Sequence, residues 1–203
     1  QGNSSLHSGF QGAAQYLECE GPGQAMITGN PDCPVTAADQ GACQQNYVLI
    51  VTDGNWGGEN FTFGDADTDG SEAYEYGETV FDGANFAGSK PATWNSTLAD
   101  IAMHYYERDL HPSGSDSHSD IDNDVVPLTR DIDFAPPGTF SSRSMHQHVK
   151  TYAVAFGVDN ALVAGLPTAY STEPYTWVPS NSSQLKAKDL YHATINGRGR
   201  YFD

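Results

Sequence analysis

Basic residues are scarce in this chain of 203 residues. Nine lysines and arginines stand against 26 aspartates and glutamates, so the formal net charge at pH 7 is −17. A surface this acidic repels nucleic-acid phosphates and anionic lipids, which excludes both as expected partners, and it attracts cations. Long apolar runs are missing as well. Because no segment approaches the ~18 apolar residues of a membrane span, no spanning helix is predicted.

Cysteine is rare too. The spacing of Cys19, Cys33 and Cys43 fits no zinc motif. Abundant Gly, Ser and Asn beside so little Lys are typical of an exported bacterial protein, in which one disulfide is expected. The spacing leaves all three pairings open. We favour Cys33–Cys43, which would tether the start of the strand at 47–52, and Cys19–Cys33 is the main competitor. Three free thiols in a reducing compartment are the alternative.

The pattern of apolar residues predicts an α/β fold. Residues 47–52 ("YVLIVT") and 149–158 ("VKTYAVAFGV") are predicted strands, and the first is a continuous apolar run of the kind that a parallel sheet buries on both faces. Apolar residues at helical spacing predict helices over 5–17, 97–110 and roughly 183–194. This alternation is typical of a parallel sheet with helices on both faces.

Long loops separate these elements. Residues 54–95 are an insertion rich in glycine and acids, and roughly 111–135 are a second, acidic loop. Thr97 and Asp100 have the spacing of a capping box at the start of the middle helix. Because two strands cannot make a stable open sheet, the chain is expected to be an incomplete domain.

An acidic residue directly follows the more apolar strand, in "YVLIVTDG". Open parallel sheets bind ligands at the carboxyl ends of their strands, so Asp53 is held at the edge where binding occurs. Gly54 lets the chain turn there. A carboxylate at that edge is a natural cation ligand. The alternative is that Asp53 simply caps the next turn.

The sequence "DADTDG" is a second candidate metal site. It has carboxylates at alternate positions and a glycine at the sharp turn, as in the first half of a calcium loop, at Asp65, Asp67, Asp69 and Gly70. The carbonyl of Ser71 could supply the next ligand. Tyr76 occupies the position of the usual final Glu, and Glu75 is a nearby substitute. Calcium is the predicted ion, and a solvated acidic turn is the alternative.

Other chemistry-bearing patterns are weaker or missing. In "DSHSDIDND" the acids Asp120, Asp122 and Asp124 alternate, but no glycine lies among them. The histidines form neither an HExxH motif nor a Cys/His tetrad, so zinc is not predicted. The sequence also has no G-x-S-x-G, no P-loop and no G-x-G-x-x-G after a strand. We therefore predict no catalytic residues and no enzyme.

Two segments resemble the metal-site segments of von Willebrand factor A domains. "Strand-T-D-G" resembles the third such segment, and Gly2-Asn3-Ser4-Ser5-Leu6 resembles the second, with Ser4 in place of the usual Thr. The resemblance implies an A-domain-type metal site of Ser4 and Asp53, where magnesium is an alternative to calcium. It also implies that residues 1–203 are the C-terminal part of a von Willebrand factor A-like, Rossmann-type domain. The Asp-x-Ser-x-Ser segment of such domains would precede residue 1.

A narrower resemblance is to the type IV pilus tip-associated adhesin and biogenesis family. "CQQNYVLIVTDGNW", "TLADIAMHYYERDL", "HVKTYAVAFGV" and "DLYHATINGRGRYF" occur there in this order, and here they lie within residues 43–202. In that family an A-like domain precedes a β-propeller. The resemblance implies a binding protein of the pilus tip that supports pilus assembly and cation-dependent adhesion. It would be exported through the periplasm and outer membrane to the cell surface.

The same resemblance implies partners of three kinds. These are minor pilins or other pilus subunits, a host or surface receptor, and the remaining part of the chain's own parent protein. Two other functions stay open. A structural extracellular filament subunit would have the same sequence features. Less favoured is a metal-dependent phosphatase-like hydrolase, in which strand-end Asp residues hold two metals, because Asp159 is the one further strand-end acid visible.

Overall fold

The computed structural model describes residues 6–19, 34–35, 41–54, 56–57, 62–67, 73–75, 78–81, 96–111, 121, 124–135, 145–169, 175, 177 and 183–203. The helices are α1 (Leu6–Leu17), α2 (Leu98–Glu107), α3 (Thr129–Asp133) and α4 (Ser183–Asn196), with a 3₁₀ turn at Asn160–Leu162. The strands are β1 (Asn46–Thr52), β2 (Ala73–Glu75), β3 (Glu78–Phe81), β4 (Val149–Ala155) and β5 (Arg198–Phe202). None of the described helices has the length and hydropathy of a membrane span.

Among the described residues, three parallel strands form the main sheet in the order β1-β4-β5. The β1–β4 pairing runs without interruption from Asn46 opposite Val149 to Thr52 opposite Ala155. Parallel neighbours need long crossover connections, and α2 and α4 lie on the two crossovers. The predicted α/β fold is therefore confirmed, and an incomplete domain is consistent with so small a sheet. Strands β2 and β3 form a separate antiparallel pair inside the predicted 54–95 insertion.

One face of the sheet carries the core. Val48 and Ile50 of β1 and Ala153 of β4 are buried there. Three helices supply the facing side chains, namely Phe10 and Ala14 of α1, Leu98, Ile101, Ala102 and Tyr105 of α2, and Leu190 and Ala193 of α4. Because these apolar residues recur every three or four positions, each helix turns a single stripe toward the sheet.

The opposite face of β1 is open to solvent. Side chains of a strand alternate between faces, and the fractional exposures of Tyr47, Leu49 and Val51 are 48%, 59% and 55%. The expectation that β1 is buried on both faces is therefore wrong in the described structure. A continuous apolar run predicts a strand but does not reveal what covers each of its faces.

Buried charges pair at the amino-terminal end of β4. Lys150 and Asp131 form a fully buried ion pair, and the Tyr106 hydroxyl donates to Oδ1 of Asp131 at 2.8 Å. The Arg198 guanidinium lies 4.8 Å from the centre of the Tyr106 ring. Burial alone would raise the pKa of Asp131, but the Lys150 charge holds it below its ordinary value. This network fixes α3 and the start of β5 to the sheet.

Strand β5 was not predicted from the sequence, because "NGRGRYFD" has too few apolar residues to stand out. It pairs beside Thr151, whose N–H donates to the carbonyl of Gly197 at 3.0 Å. A Cβ atom at Gly199 would lie 1.9 Å from the carbonyl oxygen of Thr151. The second glycine is therefore what lets the two backbones approach.

We predict that Gly199→Ala destabilises the chain, because the added methyl group must push β5 away from β4. Overpacking of this kind costs about 1–3 kcal/mol or more. The matched control is Gly9→Ala, since a Cβ atom at Gly9 in α1 meets nothing within 4 Å. That change should stabilise the helix by roughly 0.5–1 kcal/mol. Urea unfolding of both variants measures the effect, and equal free energies of unfolding would contradict the close approach.

Candidate metal site at the start of helix α2

Helix α2 begins with a capping box, as predicted. Oδ2 of Asp100 accepts from the backbone N–H of Thr97 at 2.8 Å and from its hydroxyl at 2.7 Å. In return, the Thr97 hydroxyl oxygen accepts from the N–H of Asp100 at 3.2 Å. These bonds satisfy backbone donors that the first turn of a helix leaves without partners. Asp100 is completely buried.

The same carboxylate holds a loop from the insertion. Oδ1 of Asp100 accepts from the N–H of Ala66 at 3.1 Å. One residue before the cap, the Ser96 hydroxyl oxygen accepts from the N–H groups of Phe63 and Gly64 at 2.8 and 3.2 Å. Residues 62–67 are thus fastened to the start of α2. This loop contains the first two acids of the predicted calcium loop.

Three carboxylates converge as a result. Oxygen atoms of Asp65, Asp67 and Asp100 all lie within 4.8 Å of one another. Asp67 and Asp100 are fully buried, and Asp65 is partly buried. Ligand oxygens that share one calcium ion at 2.3–2.6 Å lie up to about 5 Å apart, so this spacing suits calcium. We call Asp65, Asp67 and Asp100 the acidic cluster.

Helix α4 closes the cluster from the other side. The Asn196 amide donates to Oδ2 of Asp67 at 3.2 Å and to the carbonyl of Ala99 at 3.0 Å. No described residue donates to the buried Oδ1 of the same amide. The His192 ring stacks on Trp177 with the centroids 3.9 Å apart, which brings its Nε2 to 3.5 Å from Oδ2 of Asp67. The Asn196 amide nitrogen and the His192 ring thus border the acids.

A fourth carboxylate, Asp189 of α4, lies at the amino terminus of α2. Its oxygens accept from the N–H groups of Leu98 and Ala99, each at 3.2 Å. Such donors and the helix dipole favour a negative charge. Burial nevertheless raises the pKa of Asp189 to about 7, and the neighbouring charges of Asp100 and Asp67 raise it as well. The start of α2 is therefore crowded with acids that oppose one another's ionisation.

The other residues of the predicted calcium loop stay predictions. Asp69 and Ser71 lie outside the described residues. Glu75 lies in β2, where the backbone alone is described. The structure therefore brings Asp65 and Asp67 together but does not test the second half of the loop.

The A-domain-type site and the weaker acidic run also remain predictions. Asp53 is exposed just after β1 and is not part of the acidic cluster, while Ser4 lies outside the described residues. Asp120 and Asp122 lie outside them too. Asp124 is exposed, and its backbone N–H donates to the carbonyl of Ala42 at 3.2 Å.

The favoured disulfide is wrong. Cys43 is a free, exposed thiol, so the Cys33–Cys43 bridge is not formed. The short loop between these residues suggested the pairing, but spacing along the chain does not set the direction in which a side chain points. Cys19 is buried at the end of α1, and Cys33 lies outside the described residues. A Cys19–Cys33 bridge stays a prediction.

Sequence reasoning missed the tertiary partners of the loop. It identified Asp100 as a helix cap, not as a neighbour of Asp65 and Asp67. Asp189 and Asn196 lie on α4, whose predicted span gave no sign of which acids it would meet. The available signal was small: an acid in the middle of a helix predicted to be packed needs a buried partner.

An α/β module with an acidic cluster at a helix start is the class of protein that these observations define. Its similarity to known proteins is more specific. Over 222 aligned residues the chain is 25% identical to the type IV pilus biogenesis factor PilY1 of Pseudomonas aeruginosa strain UCBPP-PA14. This alignment covers 99% of the chain and 17% of that protein. Against PilY1 of strain PAK the identity is 26% over 178 residues, which covers 79% of the chain and 14% of that protein.

The chain is therefore PilY1-like, and the family resemblance drawn from the sequence is confirmed. It spans 14–17% of the length of these curated relatives. No protein-family model matches the chain. No solved structure matches it either.

We predict that Asp189→Asn flattens the dependence of stability on pH. With a pKa of about 7 in the folded chain against an ordinary 3.8, wild-type Asp189 binds its proton more tightly when folded. Its contribution is therefore present at low pH and is lost as pH rises toward 7, by at most about 1.4 kcal/mol per pH unit. Urea unfolding in EDTA between about pH 4 and pH 7 measures the slope.

The control for this prediction is Asp133→Asn, which changes an exposed acid of α3. It should keep the wild-type slope. Parallel pH profiles for wild type and Asp189→Asn would show that Asp189 ionises normally and would contradict the crowding at α2.

Proposed function

We propose that this chain is a non-enzymatic binding module of a type IV pilus biogenesis protein. The observation that carries the proposal is the similarity to PilY1 over 99% of the chain. The parallel sheet, with an acid directly after β1, supports the further proposal that the module is von Willebrand factor A-like. On this proposal the chain acts outside the cell, at the cell surface or pilus tip.

The acidic cluster is the proposed calcium site. Two acids of the predicted calcium loop, Asp65 and Asp67, meet Asp100 with a spacing that suits calcium ligands. Calcium accepts six to eight oxygens, so further ligands are needed. Asp69, Ser71 and Glu75 of the same loop are the proposed sources, and the Asn196 amide would offer Oδ1 after exchanging the positions of its oxygen and nitrogen.

Calcium at this site would link the 62–67 loop to α2 and α4. The acids come from the 62–67 loop and from α2, and the adjoining Asn196 comes from α4. An ion shared by them would offset the repulsion between the carboxylates and fix the loop against both helices. Binding residues often lie on loops that a rigid scaffold holds in position. Calcium would therefore order the surface that the insertion presents to a partner.

The partners that we propose are minor pilins or other pilus subunits, and a host or surface receptor engaged in a cation-dependent way. The strong net negative charge favours basic partner surfaces and promotes fast association with them. Magnesium or calcium at Ser4 and Asp53 is kept as a second proposed site. It would need a further loop to supply its remaining ligands.

The test of the proposed function is complementation. Cells that lack the gene should assemble few surface pili and attach poorly. Wild-type protein should restore both, whereas the double variant Asp65→Asn/Asp67→Asn should restore much less, because a neutral amide is a weaker calcium ligand than a carboxylate. Electron microscopy counts the pili, and immunoblotting checks that the protein is present in equal amount.

Asp133→Asn is the matched control, since it removes one exposed acid that is not part of the acidic cluster, and it should complement fully. Normal pili and attachment in cells without the gene would refute the pilus proposal. Full complementation by the double variant would leave the pilus role intact and refute the role of the calcium site.

A further inference from the structure

Lys150 and Asp131 hold an amine and a carboxyl group in direct contact inside the protein. Nζ of Lys150 donates to Oδ1 of Asp131, and the exposed fractions of the two side chains are 1% and 0%. Lys150 lies on β4 and Asp131 on α3, 19 residues away along the chain. Because the fold fixes each group against the other, the effective concentration of amine at the carboxyl group is very high. Burial also keeps bulk water away from both.

Two further donors hold the carboxyl group of Asp131. The Tyr106 hydroxyl donates to Oδ1 at 2.8 Å, and the backbone N–H of Leu128 donates to Oδ2 at 2.6 Å. Burial and the charge of Asp131 keep the pKa of Tyr106 well above its ordinary value, so this hydroxyl retains its proton. Donors fixed on both oxygens draw electrons from the carboxyl carbon. They also stabilise the negative charge that an attack on this carbon places on oxygen.

The surroundings of Lys150 favour the loss of its proton. Burial is the largest influence on the pKa of Lys150 and lowers it, and the charge of Arg198 lowers it too, against the opposing effect of Asp131. Proton transfer from Lys150 to Asp131 gives a neutral amine beside a neutral acid, and the neutral amine is a nucleophile. Burial penalises both charges of an ion pair. An amide carries neither charge, so its formation removes that penalty.

We propose that Lys150 and Asp131 condense to an intramolecular isopeptide bond between β4 and α3. Nζ of Lys150 attacks Cγ of Asp131, and a nitrogen–carbon bond forms. The bond between Cγ and Oδ1 breaks, and Oδ1 leaves as water with two protons of the Lys150 ammonium group. The remaining proton stays on nitrogen as the amide N–H. Oδ2 becomes the amide oxygen, on which the N–H of Leu128 already lies, and no oxidant or other reactant is needed.

The bond would make the attachment of α3 to the sheet permanent. An ion pair is lost when Asp131 is protonated at low pH or when the chain unfolds, whereas an amide persists in both cases. A covalent link between residues 131 and 150 also restricts the unfolded chain, as a disulfide does. This end of the sheet would thus be cross-linked without cysteine. The proposal does not depend on the pilus function or on calcium.

Peptide mass mapping tests the proposal on the protein purified from cells. In an unlinked chain, trypsin cuts after Arg143 and Lys150 and releases residues 131–143 as a free peptide. An amide at Lys150 prevents the cut there, so the next cut on that side follows Lys186. The wild type should therefore yield a branched peptide in which residues 131–143 are joined to residues 144–186. Its mass should be that of the two segments together less one water molecule, and fragmentation should place the link at Lys150.

Two variants identify the reacting groups. Lys150→Arg keeps a positive charge but removes the amine, so it should yield residues 131–143 only as the free peptide. Tyr106→Phe removes the hydroxyl that donates to Oδ1 of Asp131. It should lower the ratio of linked to unlinked chains in freshly made protein about tenfold or more. Its matched control is Tyr191→Phe, which removes a hydroxyl that donates to the carbonyl of Pro167 and should keep the wild-type ratio.

The decisive result comes from the wild type and does not require that any variant folds. If the wild type releases residues 131–143 only as a free peptide, the proposal is overturned. A branched peptide that persists in Lys150→Arg would overturn it as well, because another amine would then be linked. A wild-type ratio in Tyr106→Phe would refute the role assigned to that hydroxyl.

Discussion

Repulsion among four carboxylates at the start of helix α2 is the constraint on which the arrangement of the 62–67 loop, α2 and α4 depends. Oxygen atoms of Asp65, Asp67 and Asp100 lie within 4.8 Å of one another, and Asp189 of α4 accepts from the N–H groups of Leu98 and Ala99 beside them. Backbone N–H groups offset part of the repulsion, since Asp100 and Asp189 each accept two of them. A bound cation would offset the rest, and it would do so only while all three elements are in place.

At the amino-terminal end of β4, buried charges are neutralised in a different way. There Lys150 pairs with Asp131, and Arg198 lies against Tyr106, so opposite charges and an aromatic ring complete the network within the chain. Buried ion pairs add little net stability but penalise any arrangement that separates them. That end of the sheet is fixed by its own residues. The acidic end is the one whose state would respond to an ion in the surroundings.

The sequence was informative wherever a local pattern matched a local structure. The apolar runs predicted β1 and β4, helical spacing predicted α1, α2 and α4, and Thr97 with Asp100 predicted the cap. Strand β5 was not predicted. Its backbone approaches Thr151 so closely that glycine is required where a strand usually has an apolar residue. The exposure of one face of β1 was not predicted, because an apolar run does not reveal what covers each face of a strand.

The candidate site was half predictable for the same reason. Alternating acids in one loop suggested calcium, and the structure brings Asp65 and Asp67 together. Their companions Asp100 and Asn196 are far away in the sequence and join the loop only through the packing of α2 and α4. Cys33–Cys43 failed because proximity along the chain is a poor guide to side-chain direction. Tertiary contacts of this kind leave no periodic signal.

The measurement that tests the central claim most directly is calorimetric titration of calcium into the wild type, Asp67→Asn and Asp53→Asn. If calcium binds at the acidic cluster, Asp67→Asn weakens binding by roughly 10-fold to 100-fold or more, the range measured when a metal site loses even a supporting group. Asp53→Asn should then bind like the wild type. Loss of binding in Asp53→Asn alone, or no calcium binding by the wild type, would contradict the account.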